Sequence, residues 1–210
     1  TQAWNFVGSP TTDPGAGTGE VTLIEGSSFC ISDPAGDIVP GGVQGLFVDD
    51  TRLLSRWELR VDGVPVEPLT VLNEETYRGT FIGRARPRAG LADSTLLLER
   101  HRFIETGMRE DIVVRNLGRG VLLTLHLGSD FGDLFEVKAG HVDQRGEYTA
   151  RHDETGVRLS RRWQLETREV AVSTTEALTS PDTLTFRVLV PARGEWRTTV
   201  HVTPSAEALP

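Results

Sequence analysis

An all-β fold, an antiparallel two-sheet sandwich, follows from three features of this 210-residue sequence. Apolar residues recur at period two over most of the chain. Turn residues punctuate these runs at hairpin spacing. Long helical periodicity is scarce. Many strands joined by short turns, without intervening helices, imply an antiparallel sandwich.

The elements follow in order. Residues 1–19 are rich in Gly, Pro, Thr and Ser and read as a flexible lead-in. Asp49 to Arg56 reads as a short helix or turn, with Asp49 or Asp50 as its cap. Trp57, Leu59 and Val61 then alternate with Glu58, Arg60 and Asp62. Asp62-Gly63 closes that strand as a hairpin, because both residues tolerate positive φ. Leu96 to Ile104 reads as a long strand. Met108, Ile112 and Val114 alternate with Arg109, Asp111 and Arg115, although Glu110 and Val113 break the pattern. Asn116-Leu117-Gly118 reads as a turn before the strand carrying Val121, Leu123, Leu125 and Leu127.

Val157, Leu159, Trp163 and Leu165 share one face of the next strand. Gln164 to Thr175 is again long. Long strands favour two broad stacked sheets. Leu184, Phe186, Val188 and Val190 precede Trp196, Val200 and Val202, with Pro191-Ala192-Arg193-Gly194 as the connection. Residues 204–210 read as the start of a linker, leaving 20–203 as the sandwich domain.

Composition narrows the function classes. The net charge of −8 argues against nucleic acid, because phosphate contacts need a basic face. No apolar run reaches the length of a membrane span, so no membrane partner is expected. Cys30 is the single cysteine, so no disulfide forms within the chain, which fits a cytoplasmic setting. No cofactor is expected: no phosphate-cradling glycine loop follows a strand and opens a helix. The histidines at 101, 126, 141, 152 and 201 lack close metal-ligand spacing. No nucleophile-elbow motif is present.

The densest chemistry is Ser129-Asp130-Phe131-Gly132-Asp133-Leu134-Phe135-Glu136-Val137. Carboxylates beside apolar surface are costly to bury unless partnered. Asp130, Asp133 and Glu136 therefore mark a metal site, a catalytic pair or a braced corner. Calcium takes several oxygen ligands, but the spacing is not that of a known calcium loop. A glycosidase pair needs a separation that adjacency in sequence does not give. The default is the corner, with Phe131 and Phe135 in the core and the acids accepting from backbone N–H groups or from Arg52, Arg100 or Arg102.

A second group, Asp49 to Ser55, offers Asp50 and Arg52 as anion or sugar contacts; its plain reading is a capped turn. A third, Glu99-Arg100-His101-Arg102, places both arginines on one strand face. Trp4, Trp57, Trp163 and Trp196 suit sugar stacking, but the last three lie in phase with core positions.

These segments resemble a known family. Gly45-Leu46-Phe47-Val48-Asp49-Asp50-Thr51-Arg52-Leu53-Leu54-Ser55, with Leu59, Asp62-Gly63 and Leu69, is similar to the start of the N-terminal domain of glycogen debranching (amylo-α-1,6-glucosidase-like) enzymes. Arg100-His101-Arg102-Phe103-Ile104, with Gly107, Glu110 and Asn116, and then Asp130 to Val137, follow in the family's order. Lys138 departs from it, standing where arginine is expected. The resemblance implies a β-supersandwich ahead of an (α/α)6 barrel that holds the catalytic acid and base. The expected role is non-catalytic: to pack on that barrel in the same polypeptide and help shape the cleft for α-glucan. Asp50, Arg52, Arg100, Arg102, Asp130, Asp133 and Glu136 are then substrate or interface candidates, or braces. The alternatives are a stand-alone carbohydrate-binding module and a hydrolase using Asp130, Asp133 or Glu136.

Overall fold

The computed structural model describes residues 19–86, 96–116, 119–190 and 193–205. The lead-in with Trp4, the Leu117-Gly118 turn residues, Pro191-Ala192 and residues 206–210 lie outside the described residues. In chain order the strands begin with β1 (Val21–Glu25), β2 (Ser28–Ser32), β3 (Gly45–Val48), β4 (Thr51–Leu54), β5 (Arg56–Val61) and β6 (Val64–Pro65). They continue with β7 (Glu67–Glu75), β8 (Arg78–Arg84), β9 (Leu96–Ile104), β10 (Met108–Asn116) and β11 (Arg119–Gly128). The helix α1 (Leu134–Lys138) precedes β12 (Glu147–Asp153), β13 (Gly156–Trp163) and β14 (Glu166–Thr174). β15 (Leu178–Ser180), β16 (Thr183–Val190) and β17 (Gly194–Ser205) complete the fold.

All pairings between these strands are antiparallel, as the alternation predicts. An eight-stranded sheet has the order β12-β13-β14-β17-β10-β9-β8-β7, and a five-stranded sheet the order β15-β16-β11-β5-β6. Their inner faces meet in one apolar core, where Leu98, Ile112 and Val200 join Leu59, Leu125 and Phe186. A further four-stranded sheet, β1-β2-β3-β4, packs β1 and β2 against β8 and β9 and adds Leu23, Cys30 and Leu46 to that core. The sequence pattern did not separate this third sheet from the other two. The hairpin signal is found where expected: Asp62 and Gly63 have φ of 50° and 80°, and they join β5 to β6.

Three local expectations are corrected. Asp49 is no helix cap. With φ 50° it turns the chain into β4, a strand whose Arg52, Leu53 and Leu54 are all buried. Three buried residues in a row need cover on both faces of the strand, which the turn reading did not supply. Trp163 and Leu165 leave the core, 44% and 86% exposed, because the tip of the β13–β14 hairpin extends beyond the packed face. Trp57 is buried, and Trp196 is half-buried with its ring edge-on to Phe186 at 5.5 Å. Glu110 does not interrupt its strand: it is buried at 0% exposure, in phase with Met108, Ile112 and Val114. Val113 is the outward residue that is buried. Arg115 pairs with Glu99 and Glu195 on the strands flanking it.

Candidate functional site

Alternation on β9 turns Leu96, Leu98, Arg100, Arg102 and Ile104 inward. Two guanidiniums therefore enter an apolar interior, which is unfavourable unless their charge and N–H groups are matched. Glu110 on the neighbouring β10 supplies the match. Its Oε1 accepts from Arg100 Nε at 2.9 Å and from Trp57 Nε1 at 3.1 Å. Its Oε2 accepts from Arg102 Nε at 2.7 Å and from Arg102 Nη2. Arg100 Nη2 lies 2.9 Å from Glu110 Oε1 but without hydrogen-bond alignment, so it contributes charge attraction only.

The same arginines hold the segment between β2 and β3. Arg100 Nη1 donates to Ala35 O at 2.9 Å and to Asp37 Oδ1 at 2.6 Å. Arg102 Nη2 donates to Gly36 O. The Asp33 carboxylate folds this segment back, accepting from the amides of Ala35 and Asp37 at 2.8 Å each. Gly36 has φ +81°, and a Cβ there would sit 3.0 Å from the Phe81 ring, so any other residue would be strained. Asp37 then reaches β5, accepting from Leu59 N and from Arg60. Arg60 and Arg56 both pair with Glu58. One chain of charges thus links the four-stranded, eight-stranded and five-stranded sheets.

Burial alone would raise the Glu110 pKa; Arg100 and Arg102 outweigh it and hold the carboxyl below its ordinary range. Burial opposes the Arg100 charge as well, but Glu110 and Asp37 raise its pKa overall. Glu58 is likewise held low, because Arg56 and Arg60 overcome desolvation. Burial raises Asp33, and it raises the Cys30 thiol, which is therefore unreactive as a nucleophile.

The Asp130 corner is a second brace. Arg52 and Asp130 form a two-point pair, with Nε to Oδ1 at 3.0 Å and Nη2 to Oδ2. Arg52 Nη1 donates to Gly42 O at 2.8 Å and to Gln44 O at 3.2 Å. Its backbone N–H donates to Gly132 O at 2.9 Å. Asp133 caps α1 by accepting from Phe135 N at 2.8 Å, and Glu136 returns the bond by accepting from Asp133 N at 3.1 Å. This reciprocal arrangement is a capping box. Leu134 N donates to Asp50 O at 2.9 Å, which ties the helix to the β3–β4 turn. Asp50 contributes its carbonyl to the corner, while its side chain is exposed.

Of the arginines nominated for these acids, Arg52 takes Asp130, whereas Arg100 and Arg102 take Glu110 and Asp37. Phe131 is the anchor expected of it, 3% exposed. Phe135 is not: it is 69% exposed, because only Val137 of this five-residue helix is buried. Sequence reasoning missed Glu110, Asp37 and Trp57 Nε1 as network members. The signal was available for Glu110, a charge standing at an inward position of an alternating strand. Among the described residues, no three His, Cys, Asp or Glu side chains converge as a metal site. No helix there is long and apolar enough to cross a membrane.

These carboxylates are matched by arginine and backbone donors. Glu110 is out of reach of any substrate, and Asp130 spends both oxygens on Arg52. Residues 23–201 match the family model for the N-terminal domain of (some) glycogen debranching enzymes. The chain belongs to this family. No curated protein matches it. In this debranching-enzyme domain the motif around Arg100 builds the buried network. The motifs around Arg52 and Asp130 build the corner together, joined across 78 positions by the Arg52–Asp130 ion pair and by the backbone bonds from Arg52 N to Gly132 O and from Leu134 N to Asp50 O.

Proposed function

We propose that this chain is a non-catalytic domain of a glycogen-debranching-like glycoside hydrolase. It packs on an (α/α)6 catalytic barrel of the same polypeptide and helps shape the glucan cleft. The observation that carries this reading is the commitment of the acids. Asp130, Asp133 and Glu136 accept from Arg52, from Gly132 N, from a helix-start amide and from a cap amide. A general acid needs a transferable proton within reach of substrate, and a nucleophile needs a free lone pair. Asp130 has both oxygens on Arg52, and Asp133 and Glu136 each give one oxygen to a backbone N–H, an arrangement that favours bracing over either role. The family match supports the same reading.

A carbohydrate-binding role is favoured by one specific observation, the exposed ring of Trp163 at a hairpin tip. The test of the main proposal is release of glucose from a branched dextrin by the purified chain. The expected result is no turnover above buffer. Clear turnover, lost in Asp130→Asn or Glu136→Gln at unchanged stability, overturns it.

A further inference from the structure

Three hairpin tips converge at one end of the fold: the β1–β2 turn, the β7–β8 turn and the β9–β10 turn. Ile24 N donates to Thr76 O at 2.7 Å, and Ile104 N donates to Tyr77 O at 2.9 Å. Glu105 N closes the third tip on Gly107 O at 3.1 Å. Backbone bonds between separate hairpins fix their spacing without help from side chains. Between the tips lies an open cleft of about 640 Å³, within the range of small-ligand sites.

Its lining is informative. Ile104 is buried beneath the cleft, and Tyr77, half-buried, contributes its aromatic ring. Glu25 and Glu105 supply carboxylates, and Ser27 and Thr106 supply hydroxyls. The Tyr77 hydroxyl is bonded to Glu75, which restrains the ring. Among the described residues no arginine or lysine lines the cleft, so it does not suit an anion. Two carboxylates fall short of the six or more oxygens that calcium takes. Carboxylates accept from hydroxyl groups, side-chain hydroxyls both donate and accept, and the negative face of an aromatic ring attracts the C–H face of a pyranose. That set matches a neutral polyhydroxyl chain.

We propose that this cleft is a subsite for an α-glucan segment, with Tyr77 as the stacking ring and Glu25 and Glu105 as hydroxyl acceptors. The inference rests on the glucan-handling role proposed above. Ser27 Oγ donates to Asp49 Oδ1 at 2.9 Å, joining the cleft to the Asp49-Asp50 turn that also carries α1.

The test is titration of the intact chain with maltoheptaose, followed by amide NMR shifts. Saturable shifts are expected at Ser27, Tyr77, Glu105 and Thr106, with a dissociation constant in the millimolar range. Tyr77→Ala and Glu105→Gln should each weaken binding about tenfold, while Trp163→Ala leaves it unchanged. Tyr77→Phe keeps the ring and should keep most of the affinity, separating stacking from the Glu75 bond. Thermal melts equal to wild type show that the variants fold. Three results overturn the proposal: no shifts at about 10 mM sugar, shifts centred on Trp163, or shifts at the cleft with calcium but not with sugar. Failure here leaves the accessory-domain reading standing, because that reading falls only if the chain turns over dextrin.

Discussion

Replacing Glu110 with glutamine isolates the charge at the centre of the network while keeping its shape. Among the described residues, Glu110 is the carboxylate bonded to Arg102, whereas Arg100 retains Asp37. Glutamine offers one oxygen and one NH2 group where the carboxylate offered two acceptors. The NH2 therefore faces a guanidinium, donor against donor. At 0% exposure neither Glu110 nor Arg102 can recruit bulk water. Breaking a buried pair while one charge stays behind costs about 3–5 kcal/mol. In a domain of this size 1 kcal/mol corresponds to about 2–4 °C, so Glu110→Gln should lower the melting temperature by roughly 6–20 °C. Circular dichroism melts and urea unfolding at neutral pH measure this. A loss under about 1 kcal/mol refutes the reasoning. Buried ionic triads elsewhere are often replaced by apolar residues at little cost. Here the combination Glu110→Leu, Arg100→Met, Arg102→Met should remain below wild type by about 1–3 kcal/mol, because Ala35 O and Gly36 O lose their arginine donors, Trp57 Nε1 loses its acceptor, and Asp37 keeps only Leu59 N and Arg60.

Two smaller changes probe the corner. Arg52→Lys keeps the charge but loses the planar fork that serves Asp130, Gly42 O and Gln44 O together. It should cost about 1–3 kcal/mol in urea unfolding, and a change within about 0.5 kcal/mol contradicts the brace. Asp133→Ala removes the helix cap and should cost about 1 kcal/mol, with faster hydrogen exchange at the Phe135 amide; Asp133→Asn keeps an acceptor and should stay near wild type.

Part of this architecture was legible in the sequence for a clear reason. Period two is a property of the strand itself, so the strand around Trp57, Leu59 and Val61 and the Asp62-Gly63 turn could be read directly. The residue sets of the Asp130 corner were legible too, but their pairing was not. Arg52 and Asp130 are 78 positions apart, and local pattern carries no information about which arginine arrives. Phe135 was assigned to the core as an aromatic anchor, and Trp163 by its phase with Val157 and Leu159. Phe135 lies on a helix too short to bury two sides, and Trp163 on a hairpin tip beyond the sheet face. Glu110 failed in the opposite direction. The period placed it inward, and its charge argued against that placement. The missing fact was that two arginines share its face from the neighbouring strand.

Glu110 also sets a pH dependence. A folded-state pKa held below the ordinary value of 4.5 means that the unfolded chain binds protons more readily there. The stabilisation is fully present above the unfolded pKa and is lost as pH falls through the folded one. The most direct measurement of the central claim is therefore the titration of the Glu110 side-chain carboxyl by carbon-13 NMR in the folded chain. Two buried arginines that outweigh desolvation place its midpoint below 4.5. A midpoint above 4.5, as burial alone would impose, contradicts the account.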